Sequence, residues 1–169
     1  ASRVSCTYTM LRKQFGVSVG KFEGVQDALG EMAGLTYVME AMRRFTCSGL
    51  DQGVKPPIVT AMVKYYSTEM VRTVVNHAMD VMGGKAISRG PRNVMAHPYM
   101  GLPIGVTVEG ANILTRTLIV FGQGAIRCHP YVLKEFNAIN DEKLRDFDRA
   151  FFGHLGLVVR NFCRVLVRS

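Results

Sequence analysis

The residue in this sequence best suited to proton transfer is Glu109, which stands beside Gly110 in the segment Thr107–Arg116. An irregular stretch gives way there to a helix-like apolar pattern. Free backbone N–H groups and the positive end of a helix dipole favour an ionised carboxylate at such a position, so Glu109 would be a better base than acid. Its spacing alone favours a simpler role, a glutamate that caps the helix N-terminus. Both interpretations stay open at this point.

Two other segments hold residues that could contact an anionic or flat ligand. Arg12, followed by Phe15 and Gly16, can present its guanidinium to a phosphate or a carboxylate. The paired Gly83 and Gly84 carry no side-chain bulk, so a ligand could approach the backbone there. The alternatives are a surface arginine beside a buried phenylalanine, and a helix that simply ends at the glycines.

Long amphipathic helices must position these segments. Apolar residues recur at intervals of three and four over about Phe22–Leu50 and over Pro56–Met82, which predicts two antiparallel helices after a short leading one. Prolines and glycines between Gly90 and Val108 predict a break with no continuous helix. Further helices are expected over Ala111–Cys128 and Asp141–Val167. The predicted fold class is therefore all-α, an antiparallel helical bundle.

Composition excludes several classes of protein. The 169 residues are 48% apolar, which is too many for a disordered chain, and the length is too great for a disulfide-stapled miniprotein. A net charge of +8 raises the possibility of nucleic acid, but no Lys/Arg run is longer than two and no aromatic residues alternate with the charges. The four cysteines contain no CxxC pair, which favours reduced thiols in the cytosol and no metal site.

The C-terminal segment offers a different kind of function. Arg160, Arg164 and Arg168 stand four residues apart and so line one face of the predicted last helix, with apolar residues beside or opposite them. Such a helix could rest on a membrane or on an acidic partner. It is more commonly the outer face of a packed helix. The alternative to an enzyme is therefore a helical interaction module that docks through this face.

Four motifs in sequence order resemble those of one family, the C-terminal α-helical domain of the acyl-CoA dehydrogenases. They are an RxxFG segment, an EMA segment in a long helix, a Gly-Gly helix end and a Glu-Gly loop before the last helix. Here they stand as Arg12–Gly16, Glu31–Ala33, Met82–Gly84 and Val108–Gly110, within a resemblance that covers about residues 5 to 125. Segments such as AMDVMGGKAI and FGQGAIRCHPY resemble the large bacterial long-chain enzymes and extend the likeness past Pro130.

The resemblance implies an FAD-dependent α,β-dehydrogenation of a long-chain fatty acyl-CoA. Glu109 and Gly110 match the catalytic loop, with Glu109 as the base that removes the α-proton. Family members polarise the thioester carbonyl with a flavin hydroxyl and the backbone N–H of this glutamate. The positions that match FAD-binding residues are Arg12, Phe15, Asp80, Gly83, Gly84 and Asn112.

The sequence also departs from the family pattern at these positions. Asp80 stands where better-known members carry Gln, so that its carboxylate would need a partner such as Lys85 near a pyrophosphate. Ala111 and Ile113 replace two polar residues of the catalytic loop, and Asn112 is the candidate to supply one of the lost flavin contacts.

The resemblance further implies partners and a domain organisation. Expected partners are a fatty acyl-CoA, an electron-transferring flavoprotein or similar acceptor, and further copies of the same chain, in the cytoplasm or at the inner membrane of a bacterium. Residues 1–130 are expected to form the bundle with a truncated first helix, and residues 131–169 a helical extension. Since the family's two preceding domains would be missing, this portion alone is expected neither to retain FAD nor to oxidise acyl-CoA.

Overall fold

The computed structural model describes residues 1–168 and divides into two compact units. The first unit is Ala1–Arg116, and the second begins at Thr117. Apart from one two-stranded hairpin, the regular elements in the described part of the chain are helical. The prediction of an all-α fold is therefore confirmed.

The first unit is built on two long helices that lie against each other. Its elements are α1 (Ser2–Leu11), the antiparallel strands β1 (Lys13–Gln14) and β2 (Val17–Ser18), a 3-10 turn (Val19–Lys21), α2 (Glu23–Asp51), α3 (Pro57–Met82), α4 (Gly84–Ile87), α5 (Ala96–Thr107) and the start of α6 (Asn112–Ile119).

Helices α2 and α3 begin and end close to where the sequence pattern places them. Pro57 occupies the first turn of α3, where its missing N–H costs nothing. Their shared core continues into α4 and the segment before α5, and His77 Nε2 of α3 lies 2.9 Å from Glu31 Oε2 of α2. The buried apolar side chains of this core are Met32, Val74, Val75, Ala78, Met82, Ala86 and Met95.

Helix α5 corrects the prediction of an irregular stretch between Gly90 and Val108. Pro98 lies in its first turn, where backbone N–H groups have no acceptor within the helix, and only Pro103 lies inside it. The buried side chain of Asn93 starts the helix, because its Oδ1 accepts hydrogen bonds from the backbone N–H of Met95 at 3.0 Å and of Ala96 at 2.9 Å. Its amide in turn donates to the carbonyl of Ala86 across 2.6 Å.

The second unit differs from the sequence prediction at two places. The expected helix Ala111–Cys128 is α-helical only to Ile119 and continues as a π-helical segment, Val120–Cys128. The expected last helix, Asp141–Val167, is confirmed as α8 (Leu144–Arg168), but a helix that was not predicted, α7 (Val132–Asn140), precedes it. Helix α7 starts where His129 Nδ1 accepts hydrogen bonds from the backbone N–H groups of Tyr131 and Val132.

Helix α8 packs on α7 through a small part of its surface. Ala150 is buried, and a Cβ on Gly153 would stand 2.5 Å from the ring of Tyr131, so that glycine permits the close approach. By length and composition α8 is long and apolar enough to cross a membrane. The same holds for α5 and Asn112–Cys128 if they are taken together as one bent span. Only 6% of the 18-residue apolar stretch of α8 is buried, whereas the core helix of a soluble protein is mostly buried.

Candidate active site

The loop that joins α5 to α6 holds Glu109 in an uncommon backbone conformation. Glu109 has φ +52° and Gly110 has φ +101°, both in the left-handed region. For a residue with a side chain this conformation costs about 1–2 kcal/mol, so the surroundings must hold it in place. The glutamate is exposed, and its loop begins where the N–H of Val108 donates to Ile104 O across 2.9 Å at the end of α5.

Lys64 of α3 holds this loop on both sides of Glu109. Its Nζ donates hydrogen bonds to the carbonyl of Val106 at 3.2 Å, to the carbonyl of Gly110 at 2.6 Å and to Asn112 Oδ1 at 2.6 Å. An ammonium group has three hydrogens to donate, so all of them are used within the first unit. Sequence inspection did not single out Lys64, because nothing local distinguishes it from other lysines.

Asn112 is buried and turns its side chain towards α3. Its Nδ2 donates to Thr68 Oγ1 at 2.8 Å and to Glu69 Oε1 at 2.7 Å, while its Oδ1 accepts from Lys64. Both amide hydrogens are therefore occupied, and the residue is only 4% exposed. In this structure Asn112 anchors the start of α6, and its expected contact with the flavin stays a prediction.

A basic cleft in the same unit brings together residues that are distant in the sequence. Arg12 and Gly84, both expected to bind cofactor, line a cleft of about 680 Å³. Its other lining residues are Tyr8, Met82, Lys85, Ser88, Arg89, Gly90, Pro91, Arg92 and Asn93. Four of these side chains are cationic and none is acidic, which makes the cleft attractive to a phosphate group.

Sequence inspection missed Arg89 and Arg92 as candidates. They flank Gly90 and Pro91 shortly after the paired glycines, and this basic turn is the signal that could have identified them. The buried Asn93 ties the turn to the fold by donating to Ser88 O across 3.0 Å. The turn that carries these two arginines is therefore tied to the fold beneath the exposed side chains.

The paired glycines end α3 and also leave the surface open. Gly83 has φ +54° and ψ −134°, a conformation that residues with side chains rarely adopt, and its N–H donates to Met79 O across 2.8 Å. A Cβ placed on Gly83 or Gly84 would meet nothing within 4 Å. The helix-cap interpretation thus holds, and a ligand still has access to the backbone.

Several predicted site residues lie outside the lining of the basic cleft, namely Phe15, Asp80, Gly83 and Glu109. The Phe15 side chain is 91% exposed, which contradicts a buried phenylalanine, and its ring meets that of Phe22 edge-on at 6.3 Å. Asp80 is exposed in the last turn of α3, and within residues 1–168 no ion pair joins it to Lys85. In the same range no group of three His, Cys, Asp or Glu side chains could hold a metal ion.

Solved structures with the same fold include a glutaryl-coenzyme A dehydrogenase and an FAD complex. The glutaryl-CoA complex of glutaryl-coenzyme A dehydrogenase superimposes with a TM-score of 0.66 at 25% identity, over 75% of this chain and 32% of that one. The FAD complex of PigA superimposes with a TM-score of 0.67 over 73% of this chain and 32% of that one. At 21% identity, the likeness to PigA concerns the fold alone.

The curated relatives are acyl-CoA dehydrogenases, and they are much longer than the chain. The mitochondrial very long-chain specific acyl-CoA dehydrogenase of Mus musculus is 30% identical over 109 residues, which are 64% of this chain and 16% of that protein. The glutaryl-CoA dehydrogenase of Desulfococcus multivorans is 27% identical over 121 residues, or 71% of this chain and 31% of that protein. The chain thus spans about a sixth to a third of the length of these relatives.

Two family models cover nearly the whole chain. Residues 126–169 match the model for the bacterial type of acyl-CoA dehydrogenase C-terminal region. Residues 1–121, the larger part, match the acyl-CoA dehydrogenase C-terminal domain. These two matches, together with the Glu-Gly loop and the paired glycines at their expected places, show that the chain belongs to the acyl-CoA dehydrogenase C-terminal domain family.

Proposed function

We propose that this chain is the FAD-proximal catalytic domain of an acyl-CoA dehydrogenase that converts long-chain fatty acyl-CoA into trans-2-enoyl-CoA in fatty acid β-oxidation. The observation that carries the proposal is the exposed Glu109, held in left-handed backbone beside Gly110 by a clamp from α3. A carboxylate that the fold displays in this way is suited to take a proton from a bound substrate.

Glu109 acts as the general base in this proposal. The α-proton of a thioester is weakly acidic, so its removal needs a positioned base and a site that excludes water. Glu109 receives that proton, and its own backbone N–H helps to polarise the thioester carbonyl. Gly110 contributes by its left-handed φ of +101°, which lets the chain turn directly into α6 without a side chain in the way.

The basic cleft is the site that fits the phosphate groups of FAD. Arg12, Lys85, Arg89 and Arg92 supply the positive charge, and Gly84 in the lining leaves the backbone open to close approach, as does the adjoining Gly83. When bound, FAD would accept the β-hydrogen of the substrate as hydride. Support comes from the chemistry of this donor set and from the FAD complex of PigA, a protein with the same fold.

The substrate and the partners follow from the relatives and from the surface. Five of the relatives are named as very long-chain specific, which supports a long acyl chain. An electron-transferring flavoprotein or a similar acceptor would reoxidise the cofactor. We also propose a homo-oligomer, because the exposed Phe15 next to the cationic Arg12 is suited to contact FAD across a subunit interface.

The decisive experiment replaces Glu109 by Gln in the full-length protein. Glu109→Gln is expected to keep FAD bound and to lower turnover of a long-chain acyl-CoA by about 10²–10⁴-fold, the usual contribution of a general base. The matched control is Glu142→Gln, because Glu142 is exposed and has the same left-handed backbone, with φ +54°. Near-normal turnover in Glu109→Gln would show that the base lies elsewhere.

A second candidate function rests on α8. Its exposed apolar side chains include Phe152, Val159 and Phe162, and Arg160, Arg164 and Arg168 carry positive charge along its C-terminal half. An amphipathic helix of this composition can lie on an anionic membrane surface. In this case the domain would dock the enzyme on a membrane, or would act as an interaction module without catalysis.

Vesicle flotation of the full-length protein tests this second candidate. Replacement of the three arginines by Gln should abolish binding to vesicles that contain anionic lipid. Arg145 and Arg149 lie on the same helix beside the acidic Asp146 and Asp148, so their replacement by Gln serves as the control and should change little. Equal binding to neutral and anionic vesicles would refute an electrostatic docking surface.

A further inference from the structure

We propose that Lys64 is a positioning residue for the catalytic loop, acting on the reaction through Glu109. The inference rests on the proposed function, in which Glu109 is the base. It assigns to a lysine outside the known motifs of the sequence the task of holding that base in a strained but productive conformation.

The contacts of Lys64 lie on both sides of Glu109 along the chain. Its ammonium group bonds to Val106 O, which precedes Glu109, and to Gly110 O and Asn112 Oδ1, which follow it. The two shorter bonds, at 2.6 Å, have the length of strong charge-assisted hydrogen bonds. Lys64 therefore pins the backbone on both sides of the glutamate, from a helix that belongs to the core of the unit.

Without the ammonium group of Lys64, the loop would lose the partner of its carbonyl groups. Val106 lies in the last turn of α5, where carbonyl groups lack partners within the helix and carry the negative end of its dipole. Lys64 neutralises that end and occupies the Gly110 carbonyl. When these bonds are removed, the left-handed φ of Glu109 loses its support, and the residue is free to relax to an ordinary backbone conformation.

Other contacts hold the start of α6 but do not hold Glu109. Thr115 Oγ1 also donates to Gly110 O, at 3.2 Å, and Asn112 is bound to Thr68 and Glu69. These bonds would keep α6 against α3 after Lys64 is replaced. The expected consequence is a displaced carboxylate in a folded domain, and a displacement of about 1 Å can cost about 10²-fold in rate.

The test is Lys64→Met in the full-length, flavin-loaded protein, with a saturating long-chain acyl-CoA. Methionine keeps the apolar stem and loses every donor. We expect kcat to fall by about 10- to 100-fold with KM and FAD content little changed. Because proton removal becomes harder, the kinetic isotope effect with α-deuterated substrate should rise. Lys64→Arg, which keeps the charge and the donors, should restore part of the loss.

The control is Lys55→Met, a lysine that is exposed just before α3 and outside both the loop and the cleft. It should leave kcat and the isotope effect unchanged. If Lys64→Met folds poorly, Lys64→Gln, which keeps one donor group but no charge, takes its place and should show a smaller loss of kcat.

Two results would overturn the inference while leaving the proposed function intact. One is a kcat of Lys64→Met within about twofold of the wild type, a change too small for a displaced base. The other is a loss of rate that only follows the fraction of folded, flavin-loaded protein, with an unchanged isotope effect and no recovery in Lys64→Arg. Near-normal turnover in Glu109→Gln would instead refute the proposed function itself.

Discussion

The side-chain amide of Asn112 donates a hydrogen bond to the carboxylate of Glu69 across 2.7 Å, and this bond ties the start of α6 to the middle of α3. The other carboxylate oxygen of Glu69 accepts from Arg72 across 3.2 Å, and Asn112 itself accepts from Lys64. The result is a chain of alternating donors and acceptors along one side of α3. A loop that would otherwise be free thereby acquires the rigidity of the core helix.

The first prediction follows from this network. Asn112→Leu removes three hydrogen bonds and leaves partly buried partners unsatisfied, which is expected to cost about 1–3 kcal/mol of unfolding free energy. For a chain of this size such a loss lowers Tm by roughly 2–12 °C. Thermal unfolding measures it, and FAD content should stay close to that of the wild type.

Asn76→Leu is the matched control for that variant, because Asn76 is exposed on the same helix α3. Its Tm should change little. A loss of FAD in Asn112→Leu without a loss of stability would instead support the flavin contact of Asn112 that the resemblance implies.

The second prediction compares two glycines that differ in backbone conformation. Gly83 has φ +54°, whereas Gly30 lies within α2, and a Cβ at either position meets nothing within 4 Å. Gly83→Ala should therefore destabilise the fold by about 1–3 kcal/mol through backbone strain alone. Gly30→Ala should stabilise it by about 0.5–1 kcal/mol, because alanine is the better helix former.

Chemical denaturation of the two variants measures these opposite signs. A stable Gly83→Ala protein would mean that the end of α3 can rearrange at low cost. In that case the paired glycines would have no structural reason to be glycine, and only ligand access would explain them.

The third prediction concerns the charge of the basic cleft. Arg89→Gln combined with Arg92→Gln removes two of its four cations. A hydrogen bond to a charged group contributes about 1.5–3 kcal/mol, so the double variant should bind FAD at least about 100-fold more weakly. Titration of the full-length apoprotein with FAD gives the Kd, and the difference should shrink as salt is raised.

Arg3→Gln with Arg145→Gln is the control for the loss of two charges. Both arginines are exposed and lie outside the cleft. If this pair weakens FAD binding as much as the cleft pair does, the effect is one of overall charge, and the cleft is not the phosphate site.

The long helices of the first unit could be predicted because their signals are local. Pro57 marks the first turn of α3, and Gly83 ends it. The same holds for Glu109 and Gly110, whose place between a break and a helix is visible in the sequence. Such positions can be predicted without knowing the tertiary contacts, since helix ends are determined largely by the residues at the ends.

The features that escaped prediction depend on contacts between distant positions. Helix α5 begins in a segment rich in proline and glycine, where Asn93 accepts hydrogen bonds from the backbone N–H groups of Met95 and Ala96, and the amide of Asn93 is itself held by α4. Lys64 meets Gly110 across 46 positions and Asn112 across 48. No periodicity in the sequence indicates such a contact, so the hydrogen bonds of Lys64 to this loop are recognised only in the tertiary structure.

The last prediction concerns the pH dependence of an ion-pair cluster on α2. Arg43 and Arg44 both donate to Glu40, each across 2.8 Å, and these bonds lower the pKa of Glu40 from 4.5 to about 2. Since this pKa is lower in the folded chain, the cluster stabilises the fold fully above the unfolded-state value. Its contribution falls as the pH decreases below about 4.5 and is lost below about 2.

Glu40→Gln should therefore lower Tm by a constant amount above about pH 5, and the difference from the wild type should narrow at lower pH. The cluster is solvent-accessible, so the effect is expected to be small and to weaken as salt screens the charges. Glu23→Gln is the control, since Glu23 is exposed at the other end of α2 and lies outside the cluster. A difference between Glu40→Gln and wild type that persists unchanged at about pH 2 would mean that Glu40 acts through packing, because most of the stabilisation that depends on its charge is lost by that pH.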